Sequence, residues 1–230
     1  MSNTDRSGGC KEMYIDFFSR LPKTIRRERI NKRMNLTQQE IAKLKEYGYE
    51  YFDGELGYGG YYYDGRWKPV AEEMISHYEL TQDSQVLEVG CAKGYLMYEF
   101  YKLGVRNVSG CDISSYAISQ VPKEIVGNFQ VMSADSLSYK DSQFDLVVSI
   151  DCIHNLSSEG VDKAIKEMMR VSKKDIFIRV GSYQTQEQLE NIKKWGVTSL
   201  TFDSAEEWLA RFKRLNYRGD WYFRIMEVLE

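Results

Sequence analysis

From Pro69 to Ile178 the chain alternates short apolar runs with amphipathic stretches, and that alternation limits the fold more than any other feature. Gln85–Val89, Val108–Cys111, Phe129–Met132, Phe144–Ile150 and Ile176–Ile178 read as strands. Helices are expected at Pro69–Glu79, Tyr95–Leu103, Ser114–Gln120 and Glu159–Val171, where apolar residues recur at helical spacing, as in Val161, Ile165, Met168 and Met169. Strands separated by helices form βαβ units, and these require a parallel sheet with helices on both faces. The near-continuous apolar character of Phe144–Ile150 agrees, because a parallel strand is buried on both sides. The expected fold is therefore α/β, Rossmann-like and doubly wound. Ser204 with Glu207 forms a capping-box pattern ahead of Trp208, Leu209 and Phe212, and Asp220–Leu229 reads as a final strand.

Composition narrows the class. With 230 residues, 43% hydrophobic and 28% charged, the chain is long enough for one medium domain and an extension. A net charge of −3 argues against a general nucleic-acid binder. No run approaches the ~18 apolar residues of a membrane span. The polar N-terminus lacks a signal-peptide core. Cys10, Cys91, Cys111 and Cys152 have no paired spacing, which favours reduced thiols and a cytoplasmic location. With only His77 and His154 besides, no metal site is expected.

Residues 1–68 read as a helical extension and a lid, and 69–230 as the main domain. Residues 10–47 have helical signals: Pro22 fits a first helical turn, and Thr37 with Glu40 fits a capping box. Between Arg20 and Arg33 seven bases face one acid, Glu28; this is either a solvated helix face or an anion-facing surface. Seven of the 17 tyrosines fall between Tyr47 and Tyr63, and six glycines lie between Gly48 and Trp67. That mixture predicts a long ordered loop without regular helix. Its aromatic faces suit a flat or cationic ligand, or else seal the core edge.

The most informative segment is Glu88-Val89-Gly90-Cys91-Ala92-Lys93-Gly94, at a strand-to-helix handover where open α/β sheets bind ligands. Asp112 follows 22 residues after Gly90 at the next strand's end, positioned to accept from both ribose hydroxyls. A dinucleotide loop has Gly-x-Gly-x-x-Gly. Here an acid precedes the first glycine, which disfavours pyrophosphate and favours a ligand carrying an ammonium group. These residues resemble the acid-x-Gly-x-Gly-x-Gly segment of the class I S-adenosylmethionine-dependent methyltransferases, with Ala92 at the middle glycine. The resemblance runs from about Pro69 to Val180. It implies S-adenosylmethionine as cofactor and a seven-stranded, mostly parallel sheet whose last strand is antiparallel. It also implies cofactor contacts from Glu88, Gly90, Ala92, Gly94, Asp112 and Ile113, from Ala134-Asp135-Ser136 at the adenine, and from Asp151. The stretch 57–67 is similar to methyltransferases found among bacterial surface-polysaccharide genes, which implies a sugar or another metabolite as acceptor.

His154, near the mouth of the fourth strand, is the candidate general base, with a hydrogen-bonded structural role as its alternative. Tyr58, Tyr62, Tyr63, Arg66 and Trp67 are the candidate substrate contacts. The expected activity is methyl transfer to a small molecule, with no membrane partner and an undetermined oligomeric state. The rivals are an RNA or protein methyltransferase docking through 20–33, a dinucleotide-dependent oxidoreductase, and a non-catalytic nucleoside-binding module.

Overall fold

A computed structural model describes residues 14–21, 35–57 and 61–225. Its centre is a six-stranded sheet in the order β3-β2-β1-β4-β5-β6, with β1 Gln85–Val89, β2 Asn107–Asp112, β3 Asn128–Val131, β4 Phe144–Ile150, β5 Ser172–Ser182 and β6 Asp220–Ile225. Every pairing is parallel. The helices are α1 Gln38–Lys45, α2 Tyr49–Phe52, α3 Lys68–His77, α4 Tyr95–Lys102, α5 Ser115–Ser119, α6 Ser158–Val171, α7 Gln186–Trp195 and α8 Ala205–Leu215. The Rossmann-like expectation holds. Among the described helices none is long and apolar enough to cross a membrane.

Alternation along the strands divides the core in two. Leu87, Val89, Val147, Ile176 and Ile178 pack with Val161, Ile165 and Met168 of α6 and with Trp208 and Phe212 of α8. Val86, Leu146, Val148 and Phe177 point to the opposite face, against Val70 and Met74 of α3 and Leu96, Met97 and Phe100 of α4. Each fully buried large apolar side chain contributes roughly 1.5–3 kcal/mol. A one-residue slip would exchange the two sets, so the register is fixed by burial. The helix starts follow local chemistry: the Ser204 side chain accepts from Glu207 N while the Glu207 carboxylate accepts from Ser204 N, and Thr37 with Glu40 does the same at α1.

Several expectations change. The described sheet has six strands rather than seven, and β6 runs parallel to β5, from Phe177 opposite Asp220 to Ser182 opposite Ile225. Two helices, α7 and α8, lie between these strands, and a helical crossover returns the chain in the same direction. Residues 226–229 of the expected last strand lie outside the described residues. On the outer side of β6, Tyr14 forms a parallel bridge to Trp221. Residues 14–21 are not helical; Phe17 and Phe18 enter the core facing α3 and α4. Within the glycine-rich zone, Tyr49–Phe52 forms a single helical turn where none was expected.

The strand order reverses between β1 and β4. At that switch point the C-terminal strand ends diverge and leave a crevice.

Candidate cofactor and acceptor site

β1 delivers Glu88 to that crevice, and the loop that follows folds tightly enough to form its floor. Gly90 and Gly94 take φ of +79° and +69°, a region costly for residues with a side chain. At Gly90 an added Cβ would lie 2.2 Å from Cys152 Sγ, so the loop passes the end of β4 at a distance only glycine permits. Ala92 adopts φ +47°, the left-handed conformation expected of a glycine there. Gly94 then opens α4.

Asp112, at the end of β2, braces this loop. Its Oδ2 accepts from Ala92 N at 2.9 Å and its Oδ1 from Ser114 N at 2.9 Å. A carboxylate has about four acceptor positions, so Asp112 keeps acceptor capacity for a ligand's hydroxyl. Burial raises the Asp112 carboxyl's pKa, and the Ser114, Ala92 and Ile113 amides oppose that rise. Glu88 is 6% exposed, and its Oε2 has no hydrogen-bond partner. Burial, and then the nearby Asp112, push its carboxyl well above the ordinary range. A buried acid with an orphaned oxygen is costly unless something completes it. An ammonium group would do so.

These residues line a cavity of about 540 Å³, within the roughly 300–1,000 Å³ usual for small-molecule sites. Its wall includes Glu88, Gly90, Ala92, Asp112, Ile113, Ala134 and Asp151. Gly94, Asp135 and Ser136 are not on it. Gly94 acts through the turn it permits. Asp135 accepts from the Ser133 hydroxyl at 2.5 Å, and Ser136 is exposed, leaving Met132, Ser133 and Ala134 to form that side of the wall.

The N-terminal segment closes the cavity from one side. Tyr47, Tyr51, Phe52 and Tyr61 line it, with ring centroids 5.1 Å apart for Tyr47 and Tyr51 and 4.7 Å for Phe52 and Tyr61. Polar ties hold this cap to the cofactor loop and to the start of α5, where the Tyr116 hydroxyl also donates to Asp53 at 2.5 Å. Lys93 Nζ, nearly buried, donates to Asp53 at 2.6 and 2.7 Å, and Ser114 Oγ donates to Tyr47 O at 2.5 Å. Arg66 and Trp67 reach the wall; Arg66 is gripped by both Asp64 oxygens and lies 4.9 Å from the Tyr62 ring centre. Tyr62 and Tyr63 do not reach it. The Tyr63 hydroxyl instead donates to buried Glu99 at 2.7 Å, anchoring the segment on α4. Tyr58 lies outside the described residues, as do Cys10, Pro22 and most of the basic 20–33 run.

On the other side Thr198 and Leu200 complete the wall with Asn155 and Leu156. Leu200 N and Thr201 N donate to the His154 carbonyl, and Thr198 Oγ1 donates to Asn155 Oδ1 at 3.0 Å. His154 itself does not line the cavity. Its ring turns toward the backbone of β5, with Nδ1 3.5 Å from Gly181 N. Burial drops its pKa to about 4 despite the Asp151 charge, which leaves a weakly basic imidazole. Asp151 does line the cavity, at φ +51°, and its Oδ1 is another orphan. Burial raises its pKa, but Arg179, Arg224 and His154 hold it below the ordinary carboxylate value.

Comparisons with known proteins agree with this geometry. Residues 86–175 match the family model of a methyltransferase domain. They form a class I S-adenosylmethionine-dependent methyltransferase domain. A tRNA (carboxymethyluridine(34)-5-O)-methyltransferase from Arabidopsis thaliana is 28% identical over 173 residues, covering 72% of this chain and 40% of that protein. A ribosomal protein L11 methyltransferase from Thermotoga neapolitana is 29% identical over 136 residues, covering 56% of this chain and 50% of that protein. The chain thus spans half or less of the length of these two relatives. Among solved structures, the YcgJ protein of Bacillus subtilis superposes with a TM-score of 0.55 at 22% identity, over 63% of this chain and 66% of that one. At such identity it is the fold that the two share. The class I domain takes S-adenosylmethionine as cofactor, and the residues present fit that molecule: the orphaned Glu88 carboxyl suits its ammonium group, and the spare acceptor capacity of Asp112 suits its ribose.

Proposed function

We propose that the chain transfers the methyl group of S-adenosylmethionine to a small-molecule acceptor, a sugar or another metabolite. The observation carrying this reading is the half-open cavity, whose floor is the Glu88–Gly94 and Asp112 cradle and whose sides are the aromatic cap and the Thr198–Leu200 segment. A cavity closed on two sides suits a compact acceptor better than a macromolecular surface, and the net charge of −3 points the same way.

In this reading Glu88 holds the ammonium group, Asp112 the ribose hydroxyls, and Met132, Ser133 and Ala134 flank the adenine. The bound cofactor supplies a methyl group already activated on a sulfonium, so the protein's task is alignment and exclusion of water. Tyr47, Tyr51, Phe52 and Tyr61 exclude water, and an aromatic face near a sulfonium contributes about 0.5–2 kcal/mol of attraction. His154 has no place at the reacting atoms. We place the protein in a reducing compartment such as the cytoplasm because Cys10, Cys91, Cys111 and Cys152 have no paired spacing in the sequence.

The test is turnover of labelled S-adenosylmethionine against a metabolite pool and, separately, against total RNA. Label transfer to a metabolite is the expected result. Transfer to RNA alone, with a steep salt dependence, would reverse the choice of acceptor.

A further inference from the structure

Among the described residues three acids line the cavity: Glu88, Asp112 and Asp151. Glu88 and Asp112, on β1 and β2, stand on one side of the strand-order reversal with Met132, Ser133 and Ala134, which follow β3. Asp151 directly follows β4, on the other side. From there onward along the chain, the other wall side chains bearing oxygen or nitrogen are Asn155 and Thr198. They bond each other at 3.0 Å, and Asn155 Nδ2 also donates to the Cys152 carbonyl at 3.0 Å. The Asp151 carboxylate is not engaged in this way. Its Oδ2 lies 3.4 and 3.5 Å from Arg179 Nη2 and Arg224 Nη1, beyond good hydrogen-bond distance, and its Oδ1 has no partner.

Neither guanidinium lines the cavity. Arg179 is level with Ile150 on β5, 4.0 Å over the Phe18 ring, with Asp16 as a second acid acting on it, and Arg224 lies on β6. They back the carboxylate from the two outer strands. Burial raises the Asp151 pKa, but Arg179, Arg224 and His154 outweigh it, so the group is an anion at neutral pH. The backbone fixes its place: Asp151 N donates to Arg179 O at 2.9 Å, and φ is +51°, a strain of the kind that gathers at functional positions. The side chain is 28% exposed, which puts it within a ligand's reach. A carboxylate only accepts, so a charged one short of hydrogen bonds is completed by an O–H or N–H. Glu88 and Asp112 already suit the cofactor's ammonium and ribose, which leaves the donor to the acceptor.

We propose that Asp151 holds the methyl acceptor by accepting a hydrogen bond from it, so that the substrate class is a metabolite bearing a hydroxyl or amine. This deepens the small-molecule reading above and rests on it.

The test uses Asp151→Asn, which keeps the side chain's shape and tolerates the left-handed backbone. A second variant adds Arg224→Gln, which removes one charge of each sign and so separates service to the arginines from service to a ligand. Circular dichroism and thermal melting check that both fold, and calorimetry gives their affinity for S-adenosylhomocysteine. Ethanolamine, with O–H and N–H donors on two carbons, is titrated into each S-adenosylhomocysteine complex at matched ionic strength. The control, 1,2-dimethoxyethane, has acceptors and no donor, and it tests the wild type without any variant. Label transfer from S-adenosylmethionine is followed against dilutions of a metabolite pool.

The expected result is unchanged S-adenosylhomocysteine affinity and saturable ethanolamine binding in the wild type, weakened about tenfold or more in both variants. Transfer at limiting pool should fall by the same factor. Equal ethanolamine binding in wild type and variants, no binding by the wild type, or equal binding of 1,2-dimethoxyethane overturns the proposal. Recovery of ethanolamine binding and transfer in the double variant would show that Asp151 serves only the arginines, and overturns it too. Loss of S-adenosylhomocysteine affinity in Asp151→Asn assigns the carboxylate to the cofactor, with the same consequence. A wild type that binds cofactor and ethanolamine but labels no metabolite would instead remove the small-molecule reading and leave the Asp151 donor site standing.

Discussion

Gly90 is where the account makes its most exacting demand on the backbone, and Gly90→Ala tests it. The added Cβ meets two separate obstacles. At φ +79° an alanine is in the left-handed region, which costs roughly 1–2 kcal/mol. It would also lie 2.2 Å from Cys152 Sγ and 2.4 Å from Cys152 Cβ, an overpacking worth roughly 1–3 kcal/mol. Together these amount to about 2–5 kcal/mol, against domain stabilities of about 5–15 kcal/mol. The two parts can be separated. Cys152→Gly deletes both clashing atoms, leaving Cα at 3.7 Å as the next neighbour, an ordinary contact. In the double variant only the backbone strain persists, so a double-mutant cycle by urea unfolding should give a favourable coupling of about 1–3 kcal/mol. Cofactor binding, lost in Gly90→Ala because the loop must shift, should return in part. Additivity within about 0.5 kcal/mol would refute the claim that the loop passes Cys152 in contact.

Two further predictions concern titrating groups. Glu88 has its pKa raised in the folded protein, so its contribution is complete below the unfolded value and is lost as pH rises through the folded one. Glu88→Gln should therefore melt higher than the wild type at neutral and alkaline pH in thermal scans without ligand, with the difference vanishing in acid. The same variant should bind S-adenosylmethionine more weakly by ~1.5–3 kcal/mol, the worth of a hydrogen bond to a charged group; equal affinity would remove Glu88 from the cradle. His154, with a depressed pKa near 4, destabilises the fold as pH falls from 6.5 toward 4, and His154→Gln should abolish that part of the acid loss. Turnover in His154→Gln should fall by less than about tenfold, whereas a ~10²-fold fall would mark it as the base.

Much of the sheet was legible because its signals are local. Gln85–Val89 and Phe144–Ile150 appear at the bounds expected from their apolar runs, and the Ser204 and Thr37 boxes cap the helices they preceded. Other elements were harder to read. Helix α7 carries a Thr185–Gln188 capping box and apolar residues at Leu189, Ile192 and Trp195, but it buries only Ile192, so little of it belongs to the core. Strand β5 spans eleven residues rather than three because it continues through polar Lys173–Asp175 and on to Arg179 and Ser182.

The site divides in the same way. Glu88, Gly90 and Ala92 were readable as one strand-to-helix turn, and Asp112 as the acid that ends the neighbouring strand and braces that turn through Ala92 N. The density of tyrosines between Tyr47 and Tyr63 marked the cap, yet which rings face inward depends on how the segment packs. Tyr47, Tyr51 and Tyr61 reach the wall while Tyr62 and Tyr63 do not. Thr198 and Leu200 join it through hydrogen bonds of their segment to residues 154–155, and Arg179 and Arg224 meet Asp151 only because β4, β5 and β6 end together. No short-range pattern encodes such meetings.

The central claim is that a braced carboxylate at the end of β2 and the tight loop after β1 together receive S-adenosylmethionine. Calorimetric titration of that cofactor into the wild type and into Asp112→Ala tests it most directly. The account predicts saturable one-to-one binding in the wild type and an affinity lower by about tenfold or more in the variant, as the loss of hydrogen bonds to a charged group requires. No binding by the wild type, or equal binding by both, would contradict it.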